Sequence, residues 1–220
     1  STACTQSEVM LDKVVAQINE KIGKYDIQIK SAQKMLKKLK KAKRKALINS
    51  KLSSKNGAGY VTNVEKATAS VKELQGKLSK LETLTTQGPP YKTSTGKTLT
   101  KSKVNTLTIT VKTRLNVAKA KLISAKKMLA VSTKSSEGNA AISEQLGLKI
   151  AQLEGKIEIL KNNVGLLKDM EDQRTLKNEY DNDLAQGLLK EMDKTISELD
   201  SIIEVDIDEV FNDQSALVGE

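Results

Sequence analysis

Apolar residues recur along this chain at alternating steps of four and three. Leu11, Val15, Ile18, Ile22, Tyr25, Ile29, Ala32, Leu36 and Leu39 hold that spacing through a first segment. Val64, Ala67, Val71, Leu74, Leu78 and Leu81 hold it through a second, and Leu146, Ile150, Leu153, Ile157, Leu160, Val164 and Leu167 through a fourth. A mean step near 3.5 residues keeps one stripe turned toward a partner helix, so the pattern predicts long helices joined along heptad seams. An ordinary helical bundle uses the same period, which leaves open whether the partner helix belongs to the same molecule.

The third segment is mixed. Val104, Leu107, Val111, Leu115, Ala118, Leu122, Ala125 and Leu129 fit a helix, yet Thr106–Thr113 (TLTITVKT) alternates as a half-buried strand does. The stripe runs on well beyond that stretch, which favours helix. A last helix is expected over Leu184, Leu188, Met192, Ile196, Leu199 and Ile203.

Clusters of Gly, Pro, Asn and Ser punctuate these stretches at Ser53–Tyr60, Thr86–Thr98, Ser132–Asn139 and Asn178–Asp183. Thr5 with Glu8, and Asp206 with Glu209, have capping-box spacing. Gly23, Gly76, Gly147, Gly155 and Gly165 fall inside predicted helices, marking either tolerant helices or close helix–helix approach. The expected fold is all-α: four to five long helices in antiparallel coiled-coil hairpins or an extended helical bundle, as one elongated domain over 1–220.

Composition agrees with that shape and removes most chemistry. There are five aromatic residues, no Trp and no His, so a compact aromatic core is not expected. Missing imidazole removes the commonest general base and the usual Ser–His and Cys–His nucleophile pairs. The single cysteine, Cys4, reads as an inert thiol, since one thiol makes neither an internal disulfide nor a Cys-rich zinc site. Gly96-Lys97-Thr98 ends like a phosphate-binding loop, but Tyr91 stands where the first glycine belongs. Asp181-Asn182-Asp183 and Asp206-Ile207-Asp208 lack the glycine of a calcium loop. No apolar run reaches the roughly 18–20 residues of a membrane span. No catalytic residue, cofactor or metal is expected.

Charge is the most informative functional feature. Residues 1–134 carry 29 basic and 7 acidic side chains, a balance of +22; residues 135–220 carry 8 and 20, a balance of −12. Lys37, Lys38, Lys40, Lys41, Lys43, Arg44 and Lys45 crowd one stretch, and on a helix they cover nearly every face but that of Leu39 and Ala42. Such density suits phosphates on nucleic acid or anionic lipid. A solvated helix, or one paired with the acidic C-terminal region, accounts for it equally well.

These features point to a non-enzymatic, structural, self-assembling coiled-coil protein with a basic N-terminal and an acidic C-terminal arm. Its seam would be carried by Ile18, Ile22, Ile29, Leu36, Val71, Leu74, Leu78, Leu153, Ile157, Leu160 and Val164. The expected partner is a second copy, in an oligomer or filament, or a related coiled-coil chain. The order of basic first helix, helical body and acidic end, at this length, resembles the layout of ESCRT-III proteins. That resemblance in layout and charge order implies membrane remodelling. Non-specific compaction of DNA through Lys37–Lys45 is a third reading.

Overall fold

A computed structural model describes the backbone of residues 2–172, 179–204, 207 and 209–211, and the side chains of 13–171, 182–202, 204, 207 and 209–211. The fold is all-α. Helix α1 runs Thr2–Gln87, α2 runs Lys101–Asp172 and α3 runs Glu179–Ile203, with a two-residue strand pair, β1 (Tyr91–Lys92) and β2 (Thr98–Leu99), between α1 and α2.

Two of the predicted turns are not turns. Ser53–Tyr60 lies inside α1 and Ser132–Asn139 inside α2, each helical throughout. Residues 179–183 of the predicted Asn178–Asp183 turn belong to the start of α3. The helix penalty of such residues is about 0.5–1 kcal/mol each, and tertiary pairing overrides it. Because α1 begins at Thr2, Thr5 is within the helix rather than at its cap. Asp206, the predicted cap of a last turn, lies outside the described residues, as do the side chains of Cys4, Glu8 and Leu11.

The turn at Thr86–Thr98 is real and has a clear cause. Gly88 takes the left-handed conformation (φ 73°) that ends a helix, and its N–H reaches the Leu84 carbonyl at 3.2 Å. The Pro89–Pro90 bond is cis. Tyr91 then pairs with Leu99 and Lys92 with Thr98, antiparallel. Gly96 turns the tip at φ 84°. Thr100 caps α2, its hydroxyl oxygen accepting from the Lys103 N–H at 3.1 Å. Lys97 thus sits in a hairpin tip, where no strand-to-helix phosphate cradle exists.

The Thr-rich stretch is helical. The hydroxyls of Thr108, Thr110 and Thr113 donate to the carbonyls of Val104, Thr106 and Ile109, four residues back. Each side chain is satisfied by its own helix, so the alternation needs no sheet partner.

The chain divides into two compact units. Unit 1 takes Ser1–Ile48 and Asn139–Ala216; its core joins α1, α2 and α3. Ile18, Leu146, Leu153, Leu160, Leu167 and Met192 are fully enclosed there. Lys40 pairs with Glu154 and Asp26 with Lys168. Fourteen residues back on α1 match fourteen forward on α2, so these segments run antiparallel. On α3 the predicted stripe holds at Met192 and Leu199, which are buried, and at Leu188 and Ile196, which pack against the core; it departs at the start of the helix. Leu184 is exposed while Ala185 and Leu189 are buried.

Unit 2 takes Asn49–Gly138, the later part of α1 and the earlier part of α2. Its seam is thinner: Val71, Leu115 and Ala118 are buried, with Leu74, Leu78 and Leu122 packed around them. A pair of helices hides only one stripe of each, so Leu52, Ile109, Val117, Ile123, Met128 and Val131 stay exposed.

Candidate interaction surface

Among the seam residues expected to carry association, Ile18, Ile22, Ile29, Leu153, Ile157, Leu160 and Val164 are buried in the core of unit 1, with Leu36 packed against it. Val71 is buried in unit 2, with Leu74 and Leu78 at its edge. These side chains meet one another within the chain.

The dense basic run lies on α1 in unit 1. Leu39 and Ala46 are its buried side, while Lys37, Lys38, Lys40, Lys41, Arg44 and Lys45 are exposed and Lys43 is half-buried. Lys40 bridges to Glu154 at 2.8 Å. The Lys45 ammonium stands 5.9 Å from the centre of the Phe211 ring, close enough for a cation–π attraction. Acidic groups of α2 and α3 supply the balance. Unit 1 spans 20 basic and 22 acidic residues, a balance of −2.

Its most elaborate polar contact ties α1 to α3. The buried Tyr25 hydroxyl donates to Asp193 Oδ1 at 2.8 Å, and Lys21 Nζ contacts Asp193 Oδ2 at 2.8 Å. Partial burial alone raises the Asp193 carboxyl's proton affinity, but hydrogen bonds from Lys21 and Tyr25 and the charges of Lys21 and Lys24 overcome it, and the net shift is downward. Burial, then the hydrogen bond and charge of Asp193, raise the Tyr25 phenol above its ordinary value. A second tie joins α2 to α3, where Lys156 grips Glu198 and its hydrogen bond and charge lower that carboxyl.

Unit 2 is the opposite case. Its stretch Asn49–Gly138 carries 17 basic and 4 acidic residues, a balance of +13, although no basic run marks it in the sequence. Its cations are dispersed, which is why a search for dense clusters passes over them. Among the described residues its one ion pair is Lys77 with Glu73, a helix neighbour at 3.3 Å and largely exposed. Such a pair offsets little of the charge.

Serines hold its two helices together where turns are expected. The Ser132 hydroxyl donates to the Ser53 carbonyl at 2.6 Å, Ser50 donates to the Ser136 carbonyl at 3.0 Å, and Ser136 returns to the Ser50 carbonyl at 3.2 Å. The Ser53 and Ser135 hydroxyls meet at 3.0 Å. A Cβ at Gly57 would lie 3.3 Å from the Ser132 hydroxyl oxygen, so the helices are close here. The other helical glycines give no such sign. Gly23, Gly76, Gly155 and Gly165 face open space, and Gly147 meets only the end of the Lys43 side chain.

No group of His, Cys, Asp and Glu among the described residues has the arrangement of a metal site, and no described helix is long and apolar enough to cross a membrane. Comparison with protein-family models, with curated proteins and with solved structures finds no match to this chain.

Proposed function

We propose that this chain is a non-enzymatic structural protein that acts by association, with the cationic segment Asn49–Gly138 as its binding unit. The observation that carries this reading is the contrast in charge. Unit 1 is close to neutral and its helices are joined by ion pairs, whereas the stretch Asn49–Gly138 leaves a balance of +13 with one local ion pair among the described residues. A surface of that kind attracts anionic partners over roughly a Debye length, about 8 Å at physiological salt. We read the pairing of α1 with α2 as an antiparallel coiled-coil hairpin, a reading supported by the fourteen-for-fourteen register of their ion pairs.

Self-assembly belongs to the same reading. The segment 139–216 carries 18 acidic against 8 basic residues and is an anionic partner for the cationic unit of another copy. A membrane role of the ESCRT-III kind is favoured by a different observation. Ile109 and Ile123, exposed by 67% and 58%, stand among the lysines of unit 2, as on a helix lying at an anionic lipid surface.

Sedimentation of the full chain alone, with anionic vesicles and with duplex DNA, across a salt series, tests the proposal. Assembly or partner binding that weakens as salt rises is expected. Sedimentation as an unchanging monomer in every arm at low salt would remove the binding role.

A further inference from the structure

Two shallow depressions on unit 2 are the same surface, repeated. One, of about 410 Å³, lies against Leu74, Arg114, Val117 and Ala118; the other, of about 380 Å³, against Tyr60, Met128, Val131 and Ser132. Each residue of the first stands fourteen positions from its counterpart in the second: Leu74 and Tyr60 on α1, and on α2 Arg114 and Met128, Val117 and Val131, Ala118 and Ser132. Fourteen residues are two heptads, which bring a helix back to the same face after roughly 21 Å of rise. The depressions therefore lie along one flank of the α1–α2 pair, two heptads apart, as two stations of one groove that a helix of about six turns would span.

That groove has the form of a helix seat. Val117, Met128 and Val131 are each about half exposed, at 51, 52 and 55%, where a third helix would cover them. Unit 1 supplies the precedent within the same chain: there α3 packs its Ala185, Leu189, Met192 and Leu199 against α1 and α2 and joins their lysines through Asp193 and Glu198. Charge selects the occupant. The groove walls bring Arg114, Lys121 and Lys127 against one acidic residue, Glu73, within a stretch, Asn49–Gly138, of +13. A second copy's hairpin would face like charge with like, and a second copy's own acidic helix α3 already has its apolar stripe buried in the core of unit 1.

We propose that this groove seats an acidic amphipathic helix of a partner protein, its apolar stripe over Val117 and Val131 and its carboxylates toward Arg114, Lys121 and Lys127. This rests on the reading of Asn49–Gly138 as the binding unit.

The test uses the full chain and a fluorescein-labelled amphipathic peptide of about 21 residues, with Leu on one face and Glu on the others, followed by anisotropy. A peptide with Lys in place of Glu is the control. Binding of the Glu peptide alone, weakening with salt, is expected. Val117→Glu with Val131→Glu should weaken it by roughly tenfold or more, while Asn116→Glu with Ala130→Glu, exposed positions that carry the same change of charge but do not line the groove, should leave it within about twofold. Circular dichroism checks that each variant stays helical, and Val117→Ser with Val131→Ser replaces the first pair if it does not. Equal binding of both peptides, or binding indifferent to the groove substitutions, overturns the seat. Anionic vesicles or DNA bound without the Glu peptide would also overturn it while sustaining the cationic unit. An absence of binding in every arm would remove the broader reading too.

Discussion

The Tyr25 hydroxyl donates to Asp193 across 2.8 Å, joining α1 to α3 at a separation of 168 residues. The pair makes unit 1 sensitive to pH from both sides. Asp193 holds its proton less tightly when folded, so its contribution is complete above the ordinary carboxylate value of about 4 and is lost as pH falls through the lower folded value. Tyr25 is shifted upward, so its contribution is complete below about pH 10 and is lost as pH rises through the folded value. Urea midpoints against pH check both. Asp193→Asn should flatten the acid limb and Tyr25→Phe the alkaline limb, each relative to the wild type.

Glycines inside the helices are a reservoir of stability. Gly76→Ala and Gly155→Ala introduce a methyl into open space, so each should stabilise by up to about 1 kcal/mol from helix propensity alone. Gly57→Ala should gain less, because its methyl meets the Ser132 hydroxyl at 3.3 Å and pushes on the Ser132–Ser53 bond. Thermal melts of the three variants provide the ranking. Equal gains at all three positions would mean that the helices are not held close at Gly57.

Ser132 itself is a sharper probe of that crossing. Ser132→Ala leaves the Ser53 carbonyl without its side-chain donor and should cost about 1 kcal/mol. Ser132→Leu must also force the helices apart against Gly57 and should cost about 1–3 kcal/mol more. Chemical denaturation followed by circular dichroism measures both. A Leu variant as stable as the Ala variant would show that the crossing is loose.

The two cores should fail separately. Leu160→Ala empties a fully enclosed site in unit 1 and should cost about 2–5 kcal/mol. Leu74→Asp with Leu78→Asp sets carboxylates beside Val71, Leu115 and Ala118, at a cost of several kcal/mol in unit 2. Hydrogen exchange locates the damage. The double variant should speed exchange over 64–81 and 104–122 before it does so over 146–167. Uniform acceleration would make the chain one cooperative body.

The apolar spacing by itself determined which stripes are buried. All seven residues from Leu146 to Leu167 in the alternating series are enclosed, because a 3.5-residue period leaves a helix one face to hide. The hairpin tip was equally legible, since Gly88 and the following prolines end a helix by their own dihedral limits. Only the tertiary structure decided that Ser53–Tyr60 and Ser132–Asn139 are helical. Each stretch alone favours a turn, but together their hydroxyls find the opposite backbone and their small side chains let the helices close. Charge followed the same division. The dense run at Lys37–Lys45 was visible in one dimension, yet the ion pair it makes among the described residues, Lys40 with Glu154, reaches more than a hundred positions along the chain. The dispersed cations of Asn49–Gly138 become one surface only when α1 folds back on α2. Register between distant segments is set by how two stripes interlock, and no local window of sequence contains both.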